Sequence, residues 1–169
     1  VDTMSSILDI DLDYFNLIRD PLSRLYALLE WAQCPVAFII EKHHQGLRLW
    51  KDRVKSGRLS IPSFILHVDE HHDMMDENSH PNIGNLMHHA MREWPECRVH
   101  WLTETPIDCP AMWLSDETWD LLCRRFSVGP HIPRDWPKPD LVSVCTSPEF
   151  VDHTLRRQLL GVLQQWTGP

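Results

Sequence analysis

Three aspartates at a period of two, Asp9, Asp11 and Asp13, close an apolar run that starts at Ser6. Read as a strand over residues 6–15, this alternation turns every second side chain to one face, so the three carboxylates share it. Carboxylates aligned in this way repel one another, and burying them is costly unless a cation or donors compensate. A chain with such a strand in its interior must bring counter-charge to it. That demand restricts the fold more than any other feature of the sequence.

The remaining segments alternate between strand and helix patterns. Residues 21–33 repeat Leu22, Leu25, Leu28 and Leu29 at helical spacing, with Pro21 in the first turn. Pro35 introduces a buried strand over 36–40, and 45–55 reads as a helix ended by Gly57. A strand over 63–68, a helix over 85–94 and a strand over 98–102 follow. Residues 115–126 read as a helix with Ser115 as N-cap. A proline-rich loop over 129–139 leads into a strand over 141–145, and 151–166 closes as an amphipathic helix. Strands spaced by helices imply βαβ units, hence an α/β three-layer αβα sandwich with a mostly parallel sheet. The expected organisation is one domain over 4–169; residues 1–3 precede a Met and read as an expression scar. In such folds ligands bind beyond the carboxyl ends of the strands.

Chemistry-bearing residues sit at four such ends. Beside the Asp9 strand stand Glu41-Lys42-His43-His44 after the 36–40 run, His67-Val68-Asp69-Glu70-His71-His72-Asp73 after 64–66, and Ser147-Pro148-Glu149 after 141–145. Alone, a DxD can cap a helix or stay solvated, and a His pair can sit in a loop. Alternating Asp-x-His-x-Asp in one short stretch rarely arises from packing, and the combination favours a metal site. Carboxylate oxygens mixed with imidazole nitrogens suit Mn²⁺, Zn²⁺ or Fe²⁺, and the high carboxylate share leans towards Mn²⁺. Asp9, Asp11, Asp69 and Asp73 carry four negative charges, which balance two divalent ions. The formal net charge of −8 disfavours a nucleic-acid partner, which needs a basic stripe. No apolar run approaches the ~20 residues of a membrane span. Five scattered cysteines without a CxxC pair indicate neither a disulfide framework nor a zinc ribbon. A reducing, cytoplasmic setting is expected, since no signal peptide precedes the first strand.

Asp69-Glu70-His71-His72-Asp73 resembles the DxHxD metal motif of the arginase or ureohydrolase superfamily, and Asp9-Ile10-Asp11 resembles its DxD motif. Residues 38–44 are similar to the strand and loop that deliver that family's first His ligand. The fuller wording, LDIDLDYF, EKHH, HVDEHHD and SPEF, looks closer to a small branch that includes the peptide arginases of ribosomal peptide natural-product biosynthesis. The resemblance implies a reduced arginase-like fold and two Mn²⁺ ions bridged by Asp69 and Asp9. His43 and Asp73 would complete one ion, His71 and Asp11 the other, with Asp73 also relaying a proton. Glu149 would pair with the substrate guanidinium, with Asn85 and Asp13 on the substrate side and His88 as a proton shuttle. The implied reaction converts peptidyl arginine in a precursor peptide to ornithine and urea.

Three departures accompany the resemblance. The DxD motif precedes DxHxD, so strand order is permuted. The chain is short, which suits an open cleft and a peptide. Ile40-Glu41-Lys42 replaces the usual Gly-Gly-Asp. Two other classes stay open from the residues themselves. One is a haloacid-dehalogenase-like phosphatase with Asp9 as nucleophile; the other is a non-catalytic, metal-stabilised interaction domain. Oligomeric state is not legible.

Overall fold

The computed structural model describes residues 4–168, so the expected scar at 1–3 lies outside the described residues. Six strands form one sheet: β1 (Ser5–Asp11), β2 (Val36–Ile40), β3 (Pro62–Val68), β4 (Arg98–Leu102), β5 (Phe126–Gly129) and β6 (Leu141–Cys145). Their spatial order is β2-β6-β1-β3-β4-β5, and every neighbouring pair is parallel. Five helices cover it: α1 (Pro21–Ala32), α2 (Gln45–Lys55), α3 (Leu86–Glu93), α4 (Asp116–Leu122) and α5 (His153–Leu163).

Two apolar layers follow from the period of two in β1. Leu8 and Ile10 pack with Leu25, Leu28 and Leu29 of α1 and Leu159 and Leu163 of α5. Ile7, on the opposite face, packs with Trp50 of α2, Met87 and Met91 of α3, and Leu122 of α4. The architecture is therefore the three-layer αβα sandwich, with an all-parallel sheet. Among the described residues no helix is long and apolar enough to cross a membrane. All five cysteines are free thiols.

Several boundaries differ from the sequence expectation for local reasons. β1 stops at Asp11, and residues 12–17 coil into a 3₁₀ turn. The Asp11 carboxylate accepts the Asp13 N–H at 3.1 Å, which caps the turn and takes Asp13 out of the strand's alternation. The helix expected over 115–126 ends at Leu122; a 3₁₀ turn follows, and Phe126 opens the short edge strand β5. Ser115 caps α4 as expected, accepting the Thr118 N–H. The last helix begins at His153, because the Asp152 carboxylate accepts the N–H groups of Thr154 and Leu155. The proline-rich connection into β6 crosses the α1/α5 face, where the Trp136 ring meets Phe64 at 5.2 Å.

Chain direction also places the site. From β1 the chain moves outward through α1 to β2, then returns across β6 and β1 to β3. α1 and α2 consequently lie on opposite faces. The connections part between β1 and β3, and in doubly wound sheets ligands bind in the crevice at such a reversal.

Candidate metal centre

The register of three central strands brings the first groups together. Asp9 pairs with His67 of β3 on one side and with Ser143 of β6 on the other. All three share the α2/α3 face, by alternation from Ile7, Ile65 and Leu141. His67 Nδ1 lies 2.9 Å from Asp9 Oδ2, and Ser143 donates to Asp9 Oδ1 at 3.3 Å. The Trp50 indole donates to Ser143 at 3.0 Å, so α2 supports the site through one hydroxyl.

His43 enters from the loop between β2 and α2. Its Nε2 lies 2.8 Å from Asp9 Oδ2. Its Nδ1 is 2.9 Å from Asp73, 3.2 Å from Asp69 and 3.3 Å from Asp11, each through a carboxylate Oδ2. None of these three approaches is a directed hydrogen bond, and both His43 Nδ1 and Asp73 Oδ2 are buried without a hydrogen-bond partner. Ligand atoms of His43, His67, Asp69 and Asp73 lie within 4.8 Å of one another, as do those of Asp13, Asp69 and His71. Asp69 belongs to both groups.

The backbone is bent to reach this arrangement. Asp73 has φ of 54° and Ser147 has φ of 38°, a region that costs non-glycine residues about 1–3 kcal/mol and recurs at functional sites. The Ser147 hydroxyl donates to Asp11 Oδ2 at 2.7 Å. The Trp101 indole donates to the Asp69 carbonyl at 2.9 Å, which holds the turn that presents Asp69 and His71.

The electrostatics are those of a site short of positive charge. Burial, then the charges of Asp69 and Asp13, raises the Asp11 carboxyl to about 8. Burial, with Asp13 and Asp73, raises Asp69 to about 6. Asp73 is raised as well, by burial first. Burial also acts against a charged Asp9, but His43 and His67 outweigh it and hold that carboxyl below its ordinary value. Burial disfavours protonation of His67, yet Asp69, Asp9 and Asp73 lift it to about 9. Hydrogen bonds to Asp13 and Asp69 lift His71 to about 11. Buried carboxylates held part-protonated beside imidazoles held protonated fit a cation: it would displace those protons and use the converging lone pairs. The unpartnered His43 and Asp73 atoms make the same case geometrically.

The structure brings Asp9, Asp11, His43, Asp69, His71 and Asp73 into this one place. Asp9 sits between the two imidazoles, outside both ligand groups, and Asp11 lies against His43 and Ser147. Asp13, expected on the substrate side, is 3.1 Å from His71 Nδ1. A cavity of about 540 Å³ opens over Asp11, His43, Asp69 and Asp73, and Glu149 lies on its wall. Asn85 and His88 do not. The Asn85 amide donates to Asp76 and to the His80 carbonyl, holding the 74–85 loop. His88 is buried in α3 with neither ring nitrogen hydrogen-bonded. His43, not His44, is the imidazole turned into the cluster; His44 and Glu41 lie on the cavity wall.

His67 was absent from the expected ligands. The available signal was a polar side chain inside the apolar run 64–68, two residues before Asp69. Ser143 and Ser147 were likewise silent, since serine at a strand end is common. No protein-family model, no curated protein and no solved structure matches this chain.

Proposed function

We propose that this protein is a dinuclear-metal hydrolase of guanidino groups, converting peptidyl arginine to ornithine and urea. The observation that carries the reading is the sharing of Asp69 between two ligand groups under one open cavity. His43, His67, Asp69 and Asp73 would hold one divalent cation, Mn²⁺ by its preference for carboxylates. Asp13, Asp69 and His71 would hold the second. Divalent ions so placed would acidify water and so supply a nucleophile at neutral pH.

The chain's own groups supply the rest. A guanidinium keeps its proton at any ordinary pH, its pKa being above ~12, so it arrives as a cation. Glu149 and Glu41 on the cavity wall meet that charge with carboxylates. Asp73, on the cavity wall, takes a proton from the attacking water and passes it to the departing nitrogen. The nitrogen leaves as the amine of ornithine, the guanidinium carbon leaves in urea, and the proton that the substrate cation brought ends on the amine as an ammonium in water. Asp9 is 1% exposed and hydrogen-bonded to two imidazoles, which makes it a poor phosphatase nucleophile.

The test uses protein loaded with Mn²⁺, with metal counted per chain, and a capped arginine peptide. Loss of a cyanamide equivalent from the peptide mass, with release of urea, is expected. Metal-loaded protein that leaves every guanidino compound intact refutes the reading and favours a metal-stabilised binding module.

A further inference from the structure

The cavity mouth carries two large apolar side chains that the core does not use. Ile83, in the loop after β3, is 48% exposed, and Phe150, in the loop after β6, is 52% exposed. Both lie on the cavity wall, with Met75, Pro81 and Pro148. β3 and β6 flank β1 on either side, so the two residues reach the mouth from opposite sides of the acidic strand.

Both supports are held in place. In the 74–85 loop, the Asp76 carboxylate accepts from the side-chain amides of Asn82 and Asn85, at 2.9 and 2.7 Å. The Met75 N–H donates to the Gly84 carbonyl at 2.8 Å, closing the loop under Ile83. On the other side, the Phe150 N–H donates to the Ser147 carbonyl at 2.9 Å. The Asn16 amide donates to the Phe150 carbonyl at 3.0 Å. Apolar groups displayed on anchored backbone contribute contact area with little ordering cost on binding.

Charge identifies the occupant. Apart from the ligand groups, the wall carries Asp11, Glu41 and Glu149 against a single lysine, Lys42. A cationic side chain fits the depth of such a cavity, and apolar surface fits its rim. We propose that the mouth is a specificity subsite for a peptide in which the arginine has apolar neighbours, with Ile83 and Phe150 contacting those neighbours. This rests on the guanidino-hydrolase reading for the identity of the central residue. The chemistry recognised is an apolar–arginine–apolar segment, as opposed to free arginine or an arginine among polar residues.

The experiment compares two capped peptides that differ only in the residues flanking one arginine, Leu on both sides or Ser on both sides. Turnover by Mn²⁺-loaded protein is measured for each, and binding is measured by fluorescence anisotropy with the same peptides and with Lys in place of Arg. The Leu peptide is expected to show about tenfold higher kcat/KM, carried by KM, and about tenfold tighter binding. In Ile83→Ser and Phe150→Ser the Leu-to-Ser ratio falls towards one. Because the ratio is read within each variant, a general loss of activity does not imitate this result. Turnover without flanking preference overturns the subsite and leaves the hydrolase reading standing. Binding preference that depends on Ile83 and Phe150, without turnover, keeps the subsite and removes the hydrolase reading. Absence of preference in both assays overturns the subsite. So does a dimer in light scattering that Phe150→Ser dissolves, since a second copy would then cover the mouth.

Discussion

Raising the pH from 5 to 8 in a chelator should lower the melting temperature of this protein, and divalent metal should reverse the trend. The Asp69 carboxyl stands at about 6 and that of Asp11 at about 8, against an ordinary value of 3.8. The folded chain therefore keeps protons that the unfolded chain releases, and stability falls as pH rises from about 4 towards 8. His67 adds to this. Its stabilising proton, held to about 9 against 6.5 when unfolded, is fully effective below pH 6.5 and lost as pH climbs to 9. Asp9 is held low, so its contribution is lost only in stronger acid, below this range. Of the Asp69 difference of about 2 pKa units, about one unit is lost between pH 5 and 8, on the order of 1.4 kcal/mol. For a domain of this size that corresponds to roughly 3–6 °C in Tm from Asp69 alone. Metal acts oppositely, because its ligands bind deprotonated. Each site adds ~2.7 kcal/mol when free metal is a hundredfold above Kd. Thermal melts by circular dichroism at pH 5, 6, 7 and 8, in EDTA and in Mn²⁺, should diverge steadily with pH. A chelated protein whose Tm is flat or rises over this range, or a metal effect that shrinks with pH, would refute the account of the buried acids.

Asp13→Asn should lower the metal count from two per chain to one, by elemental analysis after dialysis, because it weakens only the group of Asp13, Asp69 and His71. His67→Ala should weaken binding at the other group by at least tenfold to a hundredfold, read by competition with a chromophoric chelator. His100→Gln, whose ring lies between Ser127 and the His131 carbonyl, should leave that affinity unchanged. Ser147→Gly and Ser147→Ala both remove the hydroxyl bonded to Asp11 and should lose metal affinity alike. In urea denaturation the glycine variant should be no less stable than the alanine variant. Relief of left-handed strain at φ 38°, worth about 1–2 kcal/mol, offsets the greater chain entropy of glycine, about 0.5–1 kcal/mol.

The layers of this fold were legible because each strand and helix declares its own period. Val36–Ile40 is a short apolar run behind a proline, and α1 repeats leucine every three or four residues behind Pro21. What failed was local and short. β5 has four residues, and its tendency to pair with β4 is not visible beside the helix that precedes it. β1 was read too long because Leu12 and Tyr14 continue its apolar alternation, while the Asp11 side chain, by capping the next turn, ends it.

The site shows a different limit. Asp9, His43, Asp69 and Asp73 could be singled out because their charge is conspicuous at strand ends. His67 gave only a weak signal, a polar residue in an apolar run, because what brings it into the cluster is a register: β3 lies against β1 with His67 opposite Asp9. One residue of slip would turn His67 to the α1/α5 face and leave Asp9 beside Leu66 or Val68. The same register sets Ser143 on the other side of Asp9. The polar cluster around Asp9 is thus a property of three strands in alignment, and neither partner strand reveals it alone. The apolar residues that secure that alignment, Ile65 and Leu66 in β3 and Val142 and Val144 in β6, therefore support the cluster as much as the core.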